Sequence, residues 1–115
     1  MKRPAGTALA YSFQGELFIW SGGQASWYFI RMPQELAEDL KEQMEGLTNG
    51  FGSIRVEATI EEAVFRTSLF PESATRCYVL PVKKQVRRAA EIEEGDIVDV
   101  SLLVLLNEAP TNARR

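Results

Sequence analysis

Apolar and polar residues alternate along several short segments of the chain, which is the pattern of β-strands that bury one face. The alternation is clearest over residues 53–60, where Ile54 and Val56 alternate with Arg55 and Glu57. Breaker residues separate this segment from its neighbours. In chain order, strands are predicted over residues 10–20, 26–32, 53–60, 63–70, 77–80 and 97–106.

The strand over residues 10–20 divides its side chains into two sets. The inward set is predicted to contain Tyr11, Phe13, Gly15, Leu17 and Ile19. The opposite set contains Ser12, Gln14, Glu16 and Phe18. Because side chains of a strand alternate between two faces, we expect only the first set to pack in the core.

Two helices are predicted, each of which follows a strand and begins at a proline. Pro33 opens the first helix, in which Leu36, Leu40 and Met44 recur at helical spacing opposite an acidic face. Pro81 is predicted to open the second. The apolar face of that second helix consists of Val82, Val86 and Ala89 or Ala90.

Short connections between the strands favour antiparallel pairing. Gly22-Gly23 predicts a tight hairpin, because glycine accepts the positive φ that such turns need. Glu61-Glu62 has poor chemistry for the same kind of turn, so we expect a longer or bulged connection there. Gly95-Asp96 is predicted to turn the chain into the last strand.

These elements predict a mainly β protein, a small barrel of about six or seven mostly antiparallel strands with two short helices at its ends. The strand–proline–helix unit occurs twice, which predicts a two-fold pseudo-symmetric barrel. Residues 10–106 form the single predicted domain, residues 1–9 a loose N-terminal arm and residues 107–115 a flexible tail.

Composition indicates a soluble cytoplasmic protein. The 115 residues carry a net charge of −3, and no apolar run approaches the roughly 20 residues of a membrane span. The N-terminus lacks the apolar stretch of a signal peptide. We therefore expect no membrane association.

Catalysis is not expected, because the chain contains no histidine and a single cysteine. This composition excludes histidine-based triads, histidine metal sites and thiolate zinc sites. No cofactor and no metal are predicted. Cys77 is interpreted as a small buried apolar residue. A carboxylate- or lysine-based enzyme remains as the third of three functional hypotheses.

One predicted ligand-binding surface combines Arg66 and Ser68 of a strand with Lys83 and Arg87 of the second helix. An arginine beside hydroxyl groups can bind an anion or a carboxylate through charge-assisted hydrogen bonds. The alternative is an ordinary outward strand face, or an arginine whose stem packs on Trp27 or Tyr28.

A second predicted surface uses Lys83, Lys84, Arg87 and Arg88 to contact nucleic-acid phosphates. Residues four apart line one strip of a helix, so these four side chains form two adjacent basic strips. The alternative is a solvated helix face, or pairing with the chain's own carboxylates downstream or on the first helix.

Aromatic residues are concentrated in the first half of the chain. They could form a base-stacking platform, but a position in the core or mouth of the barrel is favoured. The residues are Trp20, Trp27, Tyr28, Phe29 and Phe51.

Several short motifs follow one another in order along the chain. They are Phe13-Gln14-Gly15, Trp27-Tyr28-Phe29, Pro33-Gln34-Glu35-Leu36, Phe51-Gly52-Ser53, Arg66-Thr67-Ser68-Leu69-Phe70-Pro71, Leu80-Pro81-Val82-Lys83 and Gly95-Asp96. This ordered set resembles the bacterial family catalogued as domain of unknown function nineteen-oh-five. The resemblance extends from Tyr11 to Leu106 and implies a double-split β-barrel, with no established activity. Relatives usually have glycine near the Glu61-Glu62 turn.

A local resemblance links residues 78–100 to the swapped-hairpin domain of AbrB-type regulators, which grip DNA. It rests on Leu80-Pro81, a basic helix and Gly95-Asp96, although the helix segment is about two residues longer here. The favoured hypothesis is a non-catalytic binding module for an unknown small-molecule or protein ligand, as a monomer or homodimer. A nucleic-acid-binding regulator of AbrB type is the alternative.

Overall fold

The computed structural model describes residues 9–45 and 52–105. Those residues form six strands and two helices. The elements are β1 (Ala10–Gly22), β2 (Ala25–Arg31), α1 (Gln34–Gln43), β3 (Ile54–Ile60), β4 (Ala63–Glu72), β5 (Cys77–Pro81), α2 (Lys84–Ala90) and β6 (Ile97–Val104).

The strands close into a barrel in the order β1-β2-β5-β4-β3-β6, with β6 pairing back to β1, and every pair is antiparallel. This architecture confirms the predicted mainly β barrel with two helices. The long strand β1 is shared, because residues 10–16 pair with β6 and residues 17–22 pair with β2.

In β3 and β6 the buried residues alternate with more exposed ones, whereas the first four residues of β5 are all buried. In β3, Ile54, Val56, Ala58 and Ile60 are buried, as the alternation predicts. The helix α1 adds Leu40, which is fully buried. Burying a side chain such as Leu or Ile stabilises the fold by about 1.5–3 kcal/mol. Among the described residues no charged side chain is buried.

The barrel is pseudo-symmetric about the β2–β5 pair, since β1 and β4 flank this pair and a helix follows each of its two strands. Ile30 lies opposite Leu80 at its centre. The Met32 amide donates to the Tyr78 carbonyl oxygen, and the Val82 amide donates to the Tyr28 carbonyl oxygen, each at 2.9 Å. Tyr28 therefore corresponds to Tyr78 and Met32 to Val82. With the same offset along the chain, Gln34 at the start of α1 corresponds to Lys84 at the start of α2.

The prediction that Pro81 opens the second helix is wrong. Pro33 does immediately precede α1, but Pro81 is the last residue of β5 and Lys83 immediately precedes α2. At this end of the β2–β5 pair, the amides of Met32 and Val82 donate the hydrogen bonds. Pro81 alternates with the residues that donate to β2, so its missing N–H removes no hydrogen bond from the β2–β5 pair.

The sequence predicted the connection in one hairpin correctly and the connection in another wrongly. Gly23 has φ 61 in a two-residue connection between Gly22 and Ala25, which confirms the hairpin. The expectation of a longer or bulged connection at Glu61-Glu62 is wrong, because Ile60 pairs directly with Ala63. Glu61 adopts φ 55, the left-handed conformation that glycine would accept more readily.

The segment 78–100 does not form a hairpin, since β5 and β6 are not neighbours in the barrel. Leu9, placed by the sequence in the arm, is buried, and its carbonyl oxygen accepts a hydrogen bond from the Val104 amide at 2.7 Å. The rest of the predicted arm, residues 1–8, and the predicted tail lie outside the described residues. No helix in the described part of the chain is both long and apolar enough to cross a membrane.

Candidate functional site

Two tryptophans stand on the outside of the barrel. Trp20 is 55% exposed and Trp27 is 53% exposed, and Phe70 on β4 is also exposed. The interpretation of Trp20 and Trp27 as core residues is therefore wrong, whereas Tyr28 and Phe29 are half-buried. Phe51, the fifth residue of that set, lies outside the described residues.

These tryptophans line a groove, called here the aromatic groove, on the outer face of β1, β2, β5 and β4. Trp20 lies opposite Trp27, and Phe18 lies opposite Phe29, in the register of the β1–β2 hairpin. Residues directly opposite each other in antiparallel strands present their side chains on the same face. The groove has a volume of about 340 Å³ and is lined by Phe18, Trp20, Trp27, Phe29, Pro71, Glu72 and Val79.

The position of the Trp20 indole depends on a glycine. A Cβ atom added at Gly22 would lie 2.5 Å from the Trp20 ring, so this ring extends along β1 over Gly22. Phe18 and Phe29 form a tilted ring pair with centroids 6.0 Å apart. The groove thus combines a packed phenylalanine pair with an indole that lies along the strand and remains exposed.

An ion pair closes one side of the groove. The Arg31 guanidinium donates to both carboxylate oxygens of Glu72, at 2.6 and 3.0 Å, and the Thr75 hydroxyl donates to the same carboxylate at 2.6 Å. Arg31 also lies over the Phe18 ring, 4.5 Å from its centroid. Bidentate pairs of this kind fix both side chains geometrically as well as energetically.

This pairing shifts both acid–base equilibria. The hydrogen bonds from Arg31 lower the pKa of the Glu72 carboxyl, partial burial opposes that shift, and the Thr75 hydroxyl lowers the pKa further. The same hydrogen bonding raises the pKa of Arg31. The Glu72 carboxylate therefore stays ionised at neutral pH, and the Arg31 guanidinium compensates its negative charge. The remaining lining of the groove is apolar, so its chemistry favours contact with an apolar or planar group.

Comparison with known proteins places the chain in a family. The family described as Domain of unknown function (DUF1905) matches residues 13–102, which run from β1 to β6. The chain belongs to this family. The match confirms the resemblance drawn from the motifs. No curated protein matches the chain. Since the family description states no activity, function has to be argued from the site.

The structure places Arg66 and Ser68 of the predicted ligand set on the outer face of β4. Arg66 lies 3.7 Å from the carboxylate of Glu57 on the neighbouring strand. The Arg55 guanidinium approaches the Ser68 hydroxyl at 3.4 Å. Both residues thus interact across the β3–β4 pair.

Arg87, the other arginine of the predicted ligand set, is held within the chain. Its guanidinium lies 3.5 Å from the centroid of the Tyr28 ring and donates to the Val82 carbonyl oxygen at 2.8 Å. These contacts attach α2 to β2 and favour a structural role for Arg87. Whether Arg66, Ser68, Lys83 and Arg87 bind a ligand stays a prediction.

The rest of the basic helix is exposed. Lys83, Lys84 and Arg88 face solvent, and within the described residues none of them forms an ion pair with a carboxylate. A cavity of about 370 Å³ at the end of α2 places Lys84 and Arg88 beside Glu91 and Glu93. The local field is therefore mixed in sign, and the nucleic-acid interpretation stays a prediction.

Other candidate chemistry is sparse in the described part of the chain. No cluster of three or more metal-ligating side chains occurs there. Cys77 is buried, in agreement with its interpretation as a small apolar residue. A larger cavity of about 530 Å³ beside α1 is lined by Glu38, Lys41 and Glu42 of that helix and by five further residues, among them Pro71 and Tyr78. Burial raises the pKa of the Tyr78 hydroxyl at this cavity, so this phenol stays neutral near pH 7.

Sequence reasoning missed the aromatic groove, although a signal for it was present. Phe18 falls in the same phase of β1 as Ser12, Gln14 and Glu16, and Trp20 continues that outward phase. Large apolar residues in a polar phase indicate an exposed patch, which on a soluble domain often marks a binding surface.

Proposed function

We propose that this protein is a non-catalytic binding module and that the aromatic groove binds an apolar ligand. The observation that carries the proposal is the exposure of Trp20 and Trp27 on one outer face beside Phe18 and Phe29. Tryptophan is among the residues most enriched at binding hot spots.

The exposed indoles supply enough surface to drive association. A ligand that covers the exposed halves of Trp20 and Trp27 would remove roughly 200 Å² of apolar surface from water. That burial corresponds to about 5 kcal/mol before the costs of association are subtracted. An affinity in the micromolar range therefore requires further contacts along the groove.

The charges at the groove support binding over catalysis. Glu72 is the titratable residue that lines it, and the bidentate contact with Arg31 lowers its pKa. A general acid or base is most effective when its pKa lies near the operating pH. The pKa of Glu72 is shifted down, away from neutral pH, which favours a structural role for this residue.

The first test is a fragment titration of the isotope-labelled full chain followed by NMR, with indole, phenol and isobutanol as probes. We expect the two indole N–H signals and the amides of Phe18 and Phe29 to shift together. Trp20→Ser and Trp27→Ser should each weaken fragment binding several-fold, because each removes one aromatic wall. The matched control is Val64→Ser, which removes an exposed apolar side chain outside the groove.

A second variant moves an aromatic wall without removing it. Gly22→Ala places a Cβ atom where the Trp20 ring lies, and this exposed ring can shift away. We expect altered fragment binding with an unchanged melting temperature. Fragments that bind equally well to wild type and to both serine variants, or no groove binding at all, would overturn the proposal.

A further inference from the structure

Within the described residues, the strand β1 has an edge without a neighbouring strand beside the aromatic groove. Beyond residue 17 it pairs with β2 alone, because its pairing with β6 covers only residues 10–16. The Leu17 amide donates to the Asp96 carbonyl oxygen at 2.9 Å, and the Gly95 amide donates to the Leu17 carbonyl oxygen at 2.8 Å. Past this point, within the described residues, no strand pairs with residues 18–22 on the side away from β2.

The main-chain groups on this edge follow from the hairpin register. A two-residue turn joins Gly22 to Ala25, so even-numbered residues of β1 exchange hydrogen bonds with β2. Ile19 and Ser21 alternate with them and direct their N–H and C=O groups away from β2. They continue the direction of Leu17, whose main chain bonds to the Gly95-Asp96 turn. This edge can therefore hydrogen-bond an added strand.

The pseudo-symmetric counterpart of this edge is protected. Ile19 lies opposite Tyr28, and Pro71 of β4 lies opposite Tyr78 in the same way. Proline has no N–H to offer to a neighbouring strand, and natural sheets use it to protect edges. Residues 18–22 of β1 contain neither proline nor a charged residue. The two halves of the barrel thus differ at these equivalent positions. The edge of β4 carries a proline, whereas the edge of β1 does not.

Charge favours a basic residue at one end of an added strand. The Gly95-Asp96 turn meets β1 at Leu17, and the exposed Glu93 and Glu94 precede it. A strand antiparallel to β1 would end beside this acidic turn. Its alternate side chains would lie on the outer face next to Phe18 and Trp20.

We infer that the edge formed by residues 18–22 of β1 accepts an extended polypeptide segment of a partner protein as an added strand. This segment carries apolar residues at alternate positions and basic residues at its C-terminal end. The inference rests on the proposed function, because the same Phe18 and Trp20 side chains receive the apolar residues. Main-chain hydrogen bonds would supply affinity, and the aromatic groove would select the side chains.

The test uses the full chain and a capped synthetic octapeptide, Thr-Val-Thr-Val-Thr-Val-Lys-Lys. Its binding is followed by NMR and by the fluorescence of the two tryptophans, which both lie in the groove. We expect the Ile19 and Ser21 amides to shift and to exchange with solvent about tenfold more slowly. Replacing the two lysines by glutamates should weaken binding several-fold.

Main-chain pairing is tested by N-methylating the peptide at every second residue, in each of the two phases. One phase should bind about tenfold more weakly because it cannot donate to β1, and the other should bind like the parent peptide. Ile19→Pro should lose binding, since it reproduces Pro71 at the equivalent position. Ile19→Val keeps the N–H group and serves as the matched control.

Several outcomes would overturn the inference. Equal binding of both N-methylated peptides would contradict main-chain pairing. Ile19 and Ser21 amide signals that do not shift when the peptide binds would contradict it too. Concentration-dependent shifts of those amides without peptide would assign the edge to a second copy of the chain. If fragments bind the groove and peptides do not, the proposed function stands and the added strand does not; if neither binds, both fall. Should Ile19→Pro fail to fold, the N-methylated peptides on wild type decide.

Discussion

At the scale of single residues, the barrel depends on close approaches that allow little added volume. A Cβ atom at Gly15 would lie 2.5 Å from Cγ2 of Ile30, which is fully buried on the neighbouring strand. Gly22 plays a comparable part on the surface, where it leaves room for the Trp20 ring. One glycine therefore serves stability, and the other serves the candidate site.

The tight contact at Gly15 predicts a stability loss on enlargement. Gly15→Ala should lower the free energy of unfolding by about 1–3 kcal/mol, because the buried Ile30 side chain cannot move into solvent. Denaturant unfolding measures the change, with Ser12→Ala on the outer face of the same strand as control. In the Ile30→Ala background the same substitution should be less destabilising, since the obstructing methyl group is gone. Equal losses in both backgrounds would contradict this account.

At the scale of elements, the Arg31–Glu72 ion pair joins β2 to β4 across β5. Both side chains are partly exposed, so their contribution at neutral pH is about 1 kcal/mol or less. Because the folded pKa of Glu72 is lowered, this stabilisation is fully present above the unfolded-state value of about 4.3. It is lost as the pH falls through the lower folded-state pKa.

The pair therefore predicts a specific acid dependence. Glu72→Gln should reduce the free energy of unfolding by about 1 kcal/mol at pH 7 and by progressively less below about pH 4. Thermal unfolding at a series of pH values measures the difference. Glu62→Gln, at an exposed turn, is the control. A difference between wild type and Glu72→Gln that does not change with pH would contradict this role for the pair.

Elements also show where sequence rules succeed and fail. The alternation in β3 predicted its buried face, because a strand with one buried face follows a strict period of two. The turn at Glu61-Glu62 was mispredicted. Pairing with β4 along the full length of β3 fixes the register and holds Glu61 at positive φ despite its side chain.

At the scale of the whole molecule, net charge opposes nucleic-acid binding. The chain carries −3, and the exposed Lys84 and Arg88 lie beside Glu91 and Glu93. Acidic side chains next to basic ones weaken the positive electrostatic potential that attracts a phosphate backbone. The closed barrel also separates β5 from β6, so residues 78–100 do not form the hairpin that the local resemblance to AbrB-type regulators implied.

We therefore expect no stable complex with generic duplex DNA. Fluorescence anisotropy of labelled duplex, at low salt and again at about 0.2 M, measures this. Binding that collapses with salt and disappears in the double variant Lys84→Glu/Arg88→Glu would contradict the expectation and establish the regulator alternative. Lys41→Glu on α1 is the matched control for charge reversal elsewhere.

The sequence by itself determined the fold class and most of the core. Alternation with a period of two, helical spacing after Pro33 and glycine turns are local signals, and each reports the face that one element buries. They were sufficient to predict a closed antiparallel barrel. The family motifs pointed to the same architecture.

Only the tertiary structure decided where the candidate site lies. The groove gathers side chains from β1, β2, β4 and β5, and the Arg31–Glu72 pair joins residues distant along the chain. Among the described residues, β1 has a free edge because its pairing with β6 ends at Glu16. Strand order and register set such juxtapositions, and a local pattern specifies neither. For this reason the sequence favoured the core or mouth of the barrel for Trp20 and Trp27, whereas the structure exposes both on its outer face.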